Sequence, residues 1–187
     1  LGKGLGQYQH LHPNDHVNMS QSSNDTFPTA MHVAILSAMR DMMPAIDKLN
    51  NSLRKKAKQF SSYKKVGRTH LMDALPVTLG SEFGSYATAL TIARDGIVST
   101  KKELEKLALG GTAVGTGANT PKGYRNAAIR ELSKISKLSL KPQQDMQYSL
   151  QSRYAVANMS SALKNYSVDL CKVANDIRLM ASGTVAG

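Results

Sequence analysis

Two groups of polar side chains have the types and spacing to do chemistry. The first is the run His12-Pro13-Asn14-Asp15-His16-Val17-Asn18-Met19-Ser20-Gln21-Ser22-Ser23-Asn24-Asp25-Thr26, in which only Pro13, Val17 and Met19 lack a polar side chain and no lysine or arginine occurs. It stands just before a long apolar-periodic segment. Serine, asparagine, aspartate and threonine close the first turn of a helix by accepting bonds from its unpaired amides, which makes Asn24, Asp25 or Thr26 the expected cap. A helix start also carries partial positive charge and free N–H groups, so the run could seat an anion. The second group is Thr69-His70; histidine is the side chain suited to passing a proton to or from water near neutral pH. The plain alternatives are a capped polar loop and a surface histidine.

Helical patterns must position both groups. Over 28–60, the apolar positions Ile35, Met39, Met42, Ile46, Leu49, Leu53, Ala57 and Phe60 step by four and three, one face of a long helix. Pro28 suits its first turn, and Pro44 is expected to bend it. Residues 61–76 break the period and read as an ordered loop or short extended segment holding His70. A second helix carries Leu79, Phe83, Tyr86, Leu90, Ala93, Ile97, Leu104 and Leu107 on one seam, with Gly96 weakening it by about 1 kcal/mol. Residues 110–119 hold four glycines in ten and form a loop of unusual backbone angles. A shorter helix over 123–137 and a connector over 138–144 follow. The last helix, over 145–180, shows Val156, Met159, Leu163, Tyr166, Leu170, Val173, Ile177 and Met180 in sevens. Three seams of this rhythm predict an all-α fold, an elongated bundle of long antiparallel helices crossing at about 20°. We expect one domain over 1–187, with no internal repeat.

Composition narrows the function classes. The chain of 187 residues is long enough for a real core, built from aliphatic residues and nine methionines since tryptophan is absent. A single cysteine, Cys171, excludes an internal disulfide and suits a reducing compartment. No apolar run approaches the ~20 residues that span a bilayer, so no membrane partner is expected. The net charge of +11 invites a nucleic-acid reading. However, the lysines cluster as in Arg54-Lys55-Lys56-Ala57-Lys58, Lys64-Lys65 and Lys101-Lys102, with no aromatic residues alternating as stacking platforms. Solvated helix faces explain them better, although a positive field could draw in a small dicarboxylate. No Cys/His cluster has metal-ligand spacing, so no metal is expected. The leader Leu1-Gly2-Lys3-Gly4-Leu5-Gly6 is too short for a signal peptide and lacks an initial Met, as in a piece of a longer chain.

Four stretches resemble one family in order and spacing. They are His12-Pro13-Asn14-Asp15 followed by Ser20-Gln21-Ser22-Ser23-Asn24-Asp25-Thr26-Phe27-Pro28-Thr29-Ala30-Met31-His32; Gly67-Arg68-Thr69-His70-Leu71-Met72-Asp73-Ala74; Gly110-Gly111-Thr112-Ala113-Val114-Gly115-Thr116-Gly117-Ala118-Asn119-Thr120; and Ala174-Asn175-Asp176-Ile177-Arg178 with Ala181-Ser182-Gly183. Together they resemble class II fumarase, of the fumarase/aspartase superfamily. The resemblance implies the central helical domain of that fold, a cofactor-free lyase interconverting fumarate and malate, and a homotetramer. It further implies a cytoplasmic enzyme, or one of the mitochondrial matrix in a eukaryote.

Hydration of fumarate requires that both carboxylates be held, water be oriented by a base, and charge on one carboxylate be stabilised as a carbanion-like state forms. The resemblance implies that Ser22, Ser23, Asn24 and Thr69 contact substrate and that His70 orients the reacting water or carries the proton. It implies a secondary dicarboxylate site at His12, Asn14 and Asp15, although Pro13-Asn14-Asp15 also has turn chemistry throughout. The family's usual Arg or Lys just before this motif corresponds to about Gln9 here. Thr112, Thr116 and Asn119 would shape the site from behind; their loop lacks the Gly-Lys-Ser/Thr ending of a phosphate loop. His16 and His32 are expected on the core or a helix face, and Asp176 and Arg178 in structural ion pairs or an interface.

The departures are specific. The superfamily's later mobile loop, with its catalytic serine and a substrate-binding lysine, is not found before Gly187, and an early Ser/Thr substrate loop is missing. Ser182-Gly183-Thr184-Val185-Ala186-Gly187 stands where Ser-Gly-Pro-Arg is common. We therefore expect residues 1–187 alone to be nearly inactive. Aspartate ammonia-lyase on the same scaffold, and a non-catalytic helical assembly module, are the rival readings.

Overall fold

The computed structural model describes residues 4–183; the expected departure at 184–187 lies outside them. Helices dominate: α1 (Ser23–Gln59), α2 (Leu79–Leu104), α3 (Tyr124–Ser136), α4 (Met146–Gln151) and α5 (Tyr154–Met180). A single π-turn at Pro13–Val17 precedes them. Two small sheets accompany the helices: an antiparallel hairpin of β1 (Lys64–Thr69) and β2 (Met72–Thr78), and a parallel pair of β3 (Lys106–Leu107) and β4 (Lys141–Pro142). By its contacts the chain divides into two compact units. The first comprises residues up to Ser37 together with Lys102–Val156; the second comprises Ala38–Lys101 and residues from Ala157 on.

In the second unit the expected seams form the core. Met39, Ile46 and Leu53 of α1, Tyr86, Leu90 and Ile97 of α2, and Met159, Tyr166 and Val173 of α5 are all buried. Leu90 and Ile97 are wholly inaccessible, which is where the three-four rhythm puts the centre of each apolar stripe. The first unit has its own core, in which Leu107, Leu109 and Ile129 pack with Ala128, Leu132 and Leu140.

Four local expectations are corrected. First, α1 begins at Ser23, five residues before Pro28, because Ser22 is the cap: its hydroxyl accepts from the Asn24 N–H at 3.2 Å and its carbonyl from the Thr26 N–H at 2.9 Å. Pro28 thus sits in the second turn, and α1 continues through Pro44 without interruption. Second, residues 64–78 form a hairpin, Lys64 pairing with Thr78 and Thr69 with Met72, with a bulge between Val66 and Arg68. Third, α2 ends at Leu104, and Leu107 belongs to β3. Fourth, the helix expected over 145–180 is two helices: Asp145 caps α4 through the Tyr148 N–H, Ser152 is extended, and its hydroxyl accepts from Tyr154 N–H as α5 begins.

His32 takes the structural role anticipated for it. Its Nδ1 lies 3.0 Å from the Leu104 carbonyl and 3.1 Å from that of Lys106. Two acceptors facing one nitrogen require that nitrogen to carry the proton. The ring therefore satisfies carbonyls where α2 gives way to β3. Burial, assisted by the charge of Arg153 and opposed by these two bonds and Glu103, holds the His32 pKa below its ordinary value.

Two predictions follow from this packing. An added Cβ at Gly80 would stand 2.4 Å from the Ala57 carbonyl oxygen and 2.7 Å from the Ser61 backbone, whereas one at Gly96, inside α2, meets nothing within 4 Å. Gly80→Ala is expected to lower the unfolding free energy by about 1–3 kcal/mol, and Gly96→Ala to raise it by about 0.4–1 kcal/mol through the unfolded state. Urea midpoints check both signs. For His32, a lowered folded pKa means the unfolded chain binds more protons between the two values, so the contribution is complete above about pH 6.5 and is lost as pH falls toward the folded value. His32→Asn, which keeps a donor but does not titrate, should flatten this part of the stability–pH curve.

Candidate functional site

In the first unit, residues 12–18 form a turn closed on itself. His12 Nδ1 accepts from the Asn14 N–H at 3.2 Å and the Asp15 N–H at 3.1 Å. Because those amide protons point at Nδ1, the 3.3 Å approach of Asp15 Oδ2 to the same nitrogen is a close contact and not an ion pair. The Asn14 side-chain oxygen accepts from Asn18 Nδ2, and His16 Nδ1 accepts from the His12 N–H. The turn chemistry of this motif is thus realised, and of the His12 ring only Nε2 is left to meet a ligand. Asn14 and Asp15 are exposed.

Ser22, Ser23 and Asn24 stand at the start of α1. Ser22 is half-buried and acts as cap; Ser23 and Asn24 are exposed. The next residue, Asp25, is wholly buried. Its Oδ1 accepts from the Ser22 N–H at 3.1 Å, closing a reciprocal capping arrangement. Its Oδ2 accepts from the Gly110 N–H at 3.0 Å and the Thr112 N–H at 2.8 Å. Asn24 Nδ2 donates to the Ala113 carbonyl at 2.9 Å. The start of α1 and the 110–119 loop are therefore joined at three points. In the sequence Asp25 stands out only as a possible cap; a carboxylate three residues after a serine is the signal available there, and it carries no sign of the distant partners.

The loop itself needs its glycines. Gly110 has a φ of 87°, and a Cβ there would strike Arg125 at 2.7 Å; Gly115, with φ of 90°, faces the Gln147 amide at 2.8 Å. Thr112 and Asn119 also adopt left-handed backbone. Thr116 Oγ1 accepts from the Ala118 N–H at 3.3 Å, so that side chain shapes the loop. Beside the junction, Asn24, Ala113, Val114, Gln147, Leu150 and Gln151 line a cavity of about 520 Å³. Its side chains bear amides and methyl groups and no formal charge.

In the second unit, His70 and Leu71 form the two-residue apex of the β1–β2 hairpin, with φ of 51° and 61°. Positive φ at both positions is the signature of a type I′ turn, whose twist matches that of the flanking strands. At the bulge only glycine fits, since a Cβ on Gly67 would stand 2.8 Å from the Leu75 carbonyl oxygen. His70, Arg68 and Leu71 line a cavity of about 390 Å³ with Lys65, Glu82, Tyr86, Lys172 and Asp176 among its other walls. Thr69 is exposed and is not among the residues lining it.

The cavity's far wall is a charge network. Lys65 bonds both oxygens of Glu82, at 2.9 and 3.0 Å. Tyr86 donates to Asp176 Oδ2 at 2.9 Å, and Lys172 pairs with the same oxygen while its ammonium lies 5.1 Å from the Tyr86 ring centre. Burial pushes the Asp176 pKa up, but the bonds from Lys172 and Tyr86 and the charges of Lys172 and Lys65 outweigh it and hold it below the usual value. Burial and donation to that carboxylate push the Tyr86 hydroxyl well above its own. Asp176 thus has the structural pairing expected of it; Arg178 is exposed. Among the described residues no group of three or more His, Cys, Asp or Glu side chains could hold a metal ion.

Comparison with known proteins gives this arrangement its context. A family model described as Lyase matches residues 1–187. Fumarate hydratase class II of Pasteurella multocida is 46% identical over 187 residues, covering 100% of this chain and 40% of that protein. The same enzyme of Corynebacterium glutamicum is 46% identical over 179 residues, 95% of this chain and 38% of its own. Among solved structures, the fumarate lyase:delta crystallin of Brucella melitensis bound to cobalt matches with a TM-score of 0.94 at 39% identity, over 100% of this chain and 41% of that one. Recombinant class II fumarase from Schistosoma mansoni matches with a TM-score of 0.88 at 35% identity, over 95% of this chain and 40% of its own. The chain spans about 40% of the length of the curated relatives it matches. Matched along its whole sequence by that model, with the class II fumarase motifs in place and a helical bundle to carry them, the chain belongs to the lyase family.

Proposed function

We propose that the full-length protein containing this segment is a carbon–oxygen lyase that reversibly hydrates fumarate to malate by general acid–base catalysis and needs no cofactor. The observation that carries this reading is 46% identity to a fumarate hydratase class II along every residue of the chain. In this reading Ser22, Ser23 and Asn24 hold one carboxylate of the dianion with neutral donors, and Thr69 contributes a further contact. His70 orients the water or relays its proton. A base takes one proton from water, the oxygen bonds to one alkene carbon, and the opposite carbon is protonated after its charge has been spread into the adjacent carboxylate. The serine base that the family resemblance implies would be supplied from outside residues 1–187. His12, Asn14 and Asp15 form a secondary dicarboxylate site, with His12 Nε2 as its donor, and Thr112, Thr116 and Asn119 shape the loop behind the triple.

The three long helices each contribute residues to both compact units, which supports treating 1–187 as one domain. Exposed apolar residues on α2 and α5, among them Ile92, Val168, Ile177 and Leu179, support burial against further copies, and we propose a homotetramer. No described helix is long and apolar enough to cross a membrane. On the family resemblance we assign the enzyme to the cytoplasm, or to the mitochondrial matrix if the source is eukaryotic.

The test uses the full-length protein, assayed separately with fumarate, malate and aspartate. Interconversion of fumarate and malate without release of ammonia from aspartate is expected. His70→Ala should lower kcat by about 10²–10⁴-fold, the usual range for a lost acid–base group. Turnover of aspartate alone would move the protein to ammonia-lyase; unchanged turnover in His70→Ala would remove His70 from the reaction; no turnover of any substrate would leave a helical assembly module.

A further inference from the structure

We infer that Asp25 is a positioning residue for the substrate-contacting triple, and that the 110–119 loop acts on the site through its backbone, by way of this carboxylate. The inference rests on the proposed assignment of Ser22, Ser23 and Asn24 to a substrate carboxylate.

A capping interaction alone does not require what Asp25 does. A carboxylate at the third helical position normally reaches back to the cap N–H from the protein surface. Here the side chain is fully inaccessible, and no cation pairs with it among the described residues. Its solvation is replaced by three N–H donors: Ser22 within the triple and Gly110 and Thr112 in the loop. Only a carboxylate offers acceptors on both oxygens. An amide in its place would turn an NH₂ group toward either Ser22 or the two loop amides, and a donor would face a donor. The loop meets this demand with backbone that side chains rarely adopt, φ of 87° at Gly110 and 57° at Thr112.

The consequence reaches the side chain proposed to touch substrate. With the loop held by Asp25, the Ala113 carbonyl receives one N–H of Asn24. That bond fixes which way the amide faces, leaving its oxygen and its second N–H for the neighbouring cavity. Ser22 Oγ, receiving the Asn24 backbone N–H, keeps its own proton to donate. Asp25 thus sets the direction of two donors while touching no ligand itself.

In the full-length protein, Asp25→Asn is expected to raise KM for fumarate and for malate at least tenfold, to change kcat less than threefold, and to leave the pH profile of kcat in place. A residue serving stability alone would lower the active fraction and the melting temperature, with the wild-type KM in the folded fraction. That result would overturn the inference. Should Asp25→Asn not fold, amide exchange in the wild-type protein decides. Saturating fumarate should slow exchange at Ser22, Gly110 and Thr112 by a common factor; protection of Ser22 without the other two would refute the tie. If the wild-type protein turns over neither fumarate nor malate, it is the functional assignment that fails. Exchange without ligand then tests the tie separately: the three amides should share one opening free energy, and three unrelated values would break it.

Discussion

A buried carboxylate with no counter-ion among the described residues is the constraint on which the first unit is built. Transferring an ionised group out of water is costly unless donors replace its hydration, and buried backbone N–H groups without acceptors are costly in turn. Asp25 and the 110–119 loop each solve the other's problem. The loop turns the Gly110 and Thr112 amides inward, where they would be orphans; the carboxylate would be unsolvated without them. Charge-assisted bonds of this kind are about twice as strong as neutral ones, so the start of α1 and a loop 85 residues away are held as one piece.

Much of this was legible in the sequence because it is local. Helical seams repeat within a turn or two, so Met39, Ile46 and Leu53, or Met159, Tyr166 and Val173, identify themselves without knowledge of what they face. The glycine-rich loop was legible for the same reason. What the sequence hides is the distant partner. Nothing near Asp25 announces Gly110 and Thr112, and its type is equally at home as an ordinary cap. The site residues taken from the family resemblance could likewise be located in the chain, but not their bonding. His12 proves to spend Nδ1 on its own turn, a fact that depends on backbone angles and not on spacing.

The local misses have local causes. The helix expected over 145–180 rests on a seven-residue rhythm that runs from Val156 to Met180, yet Ser152 opens the chain and caps α5. Because every periodic position lies beyond the break, periodicity alone could not detect it; the serine is the better signal. The hairpin at 64–78 escaped for a different reason. Its strands are largely exposed, so they show no alternation of apolar and polar residues, and its apex lacks the Asn-Gly pair that usually marks a two-residue turn.

That apex is where local preference and structure disagree most sharply. Left-handed backbone costs an ordinary L-residue roughly 1–2 kcal/mol, and both His70 and Leu71 adopt it. Glycine or asparagine would remove most of the cost and make a better hairpin. The turn is therefore chosen for something other than hairpin stability. Among the described residues no hydrogen bond holds the His70 ring, so its direction is set by the backbone that carries it, anchored by the Thr69–Met72 pair on one side and the Gly67 bulge on the other. A ring aimed in this way keeps both nitrogens free. For a group proposed to exchange a proton with water, that leaves either nitrogen able to meet the reacting molecule.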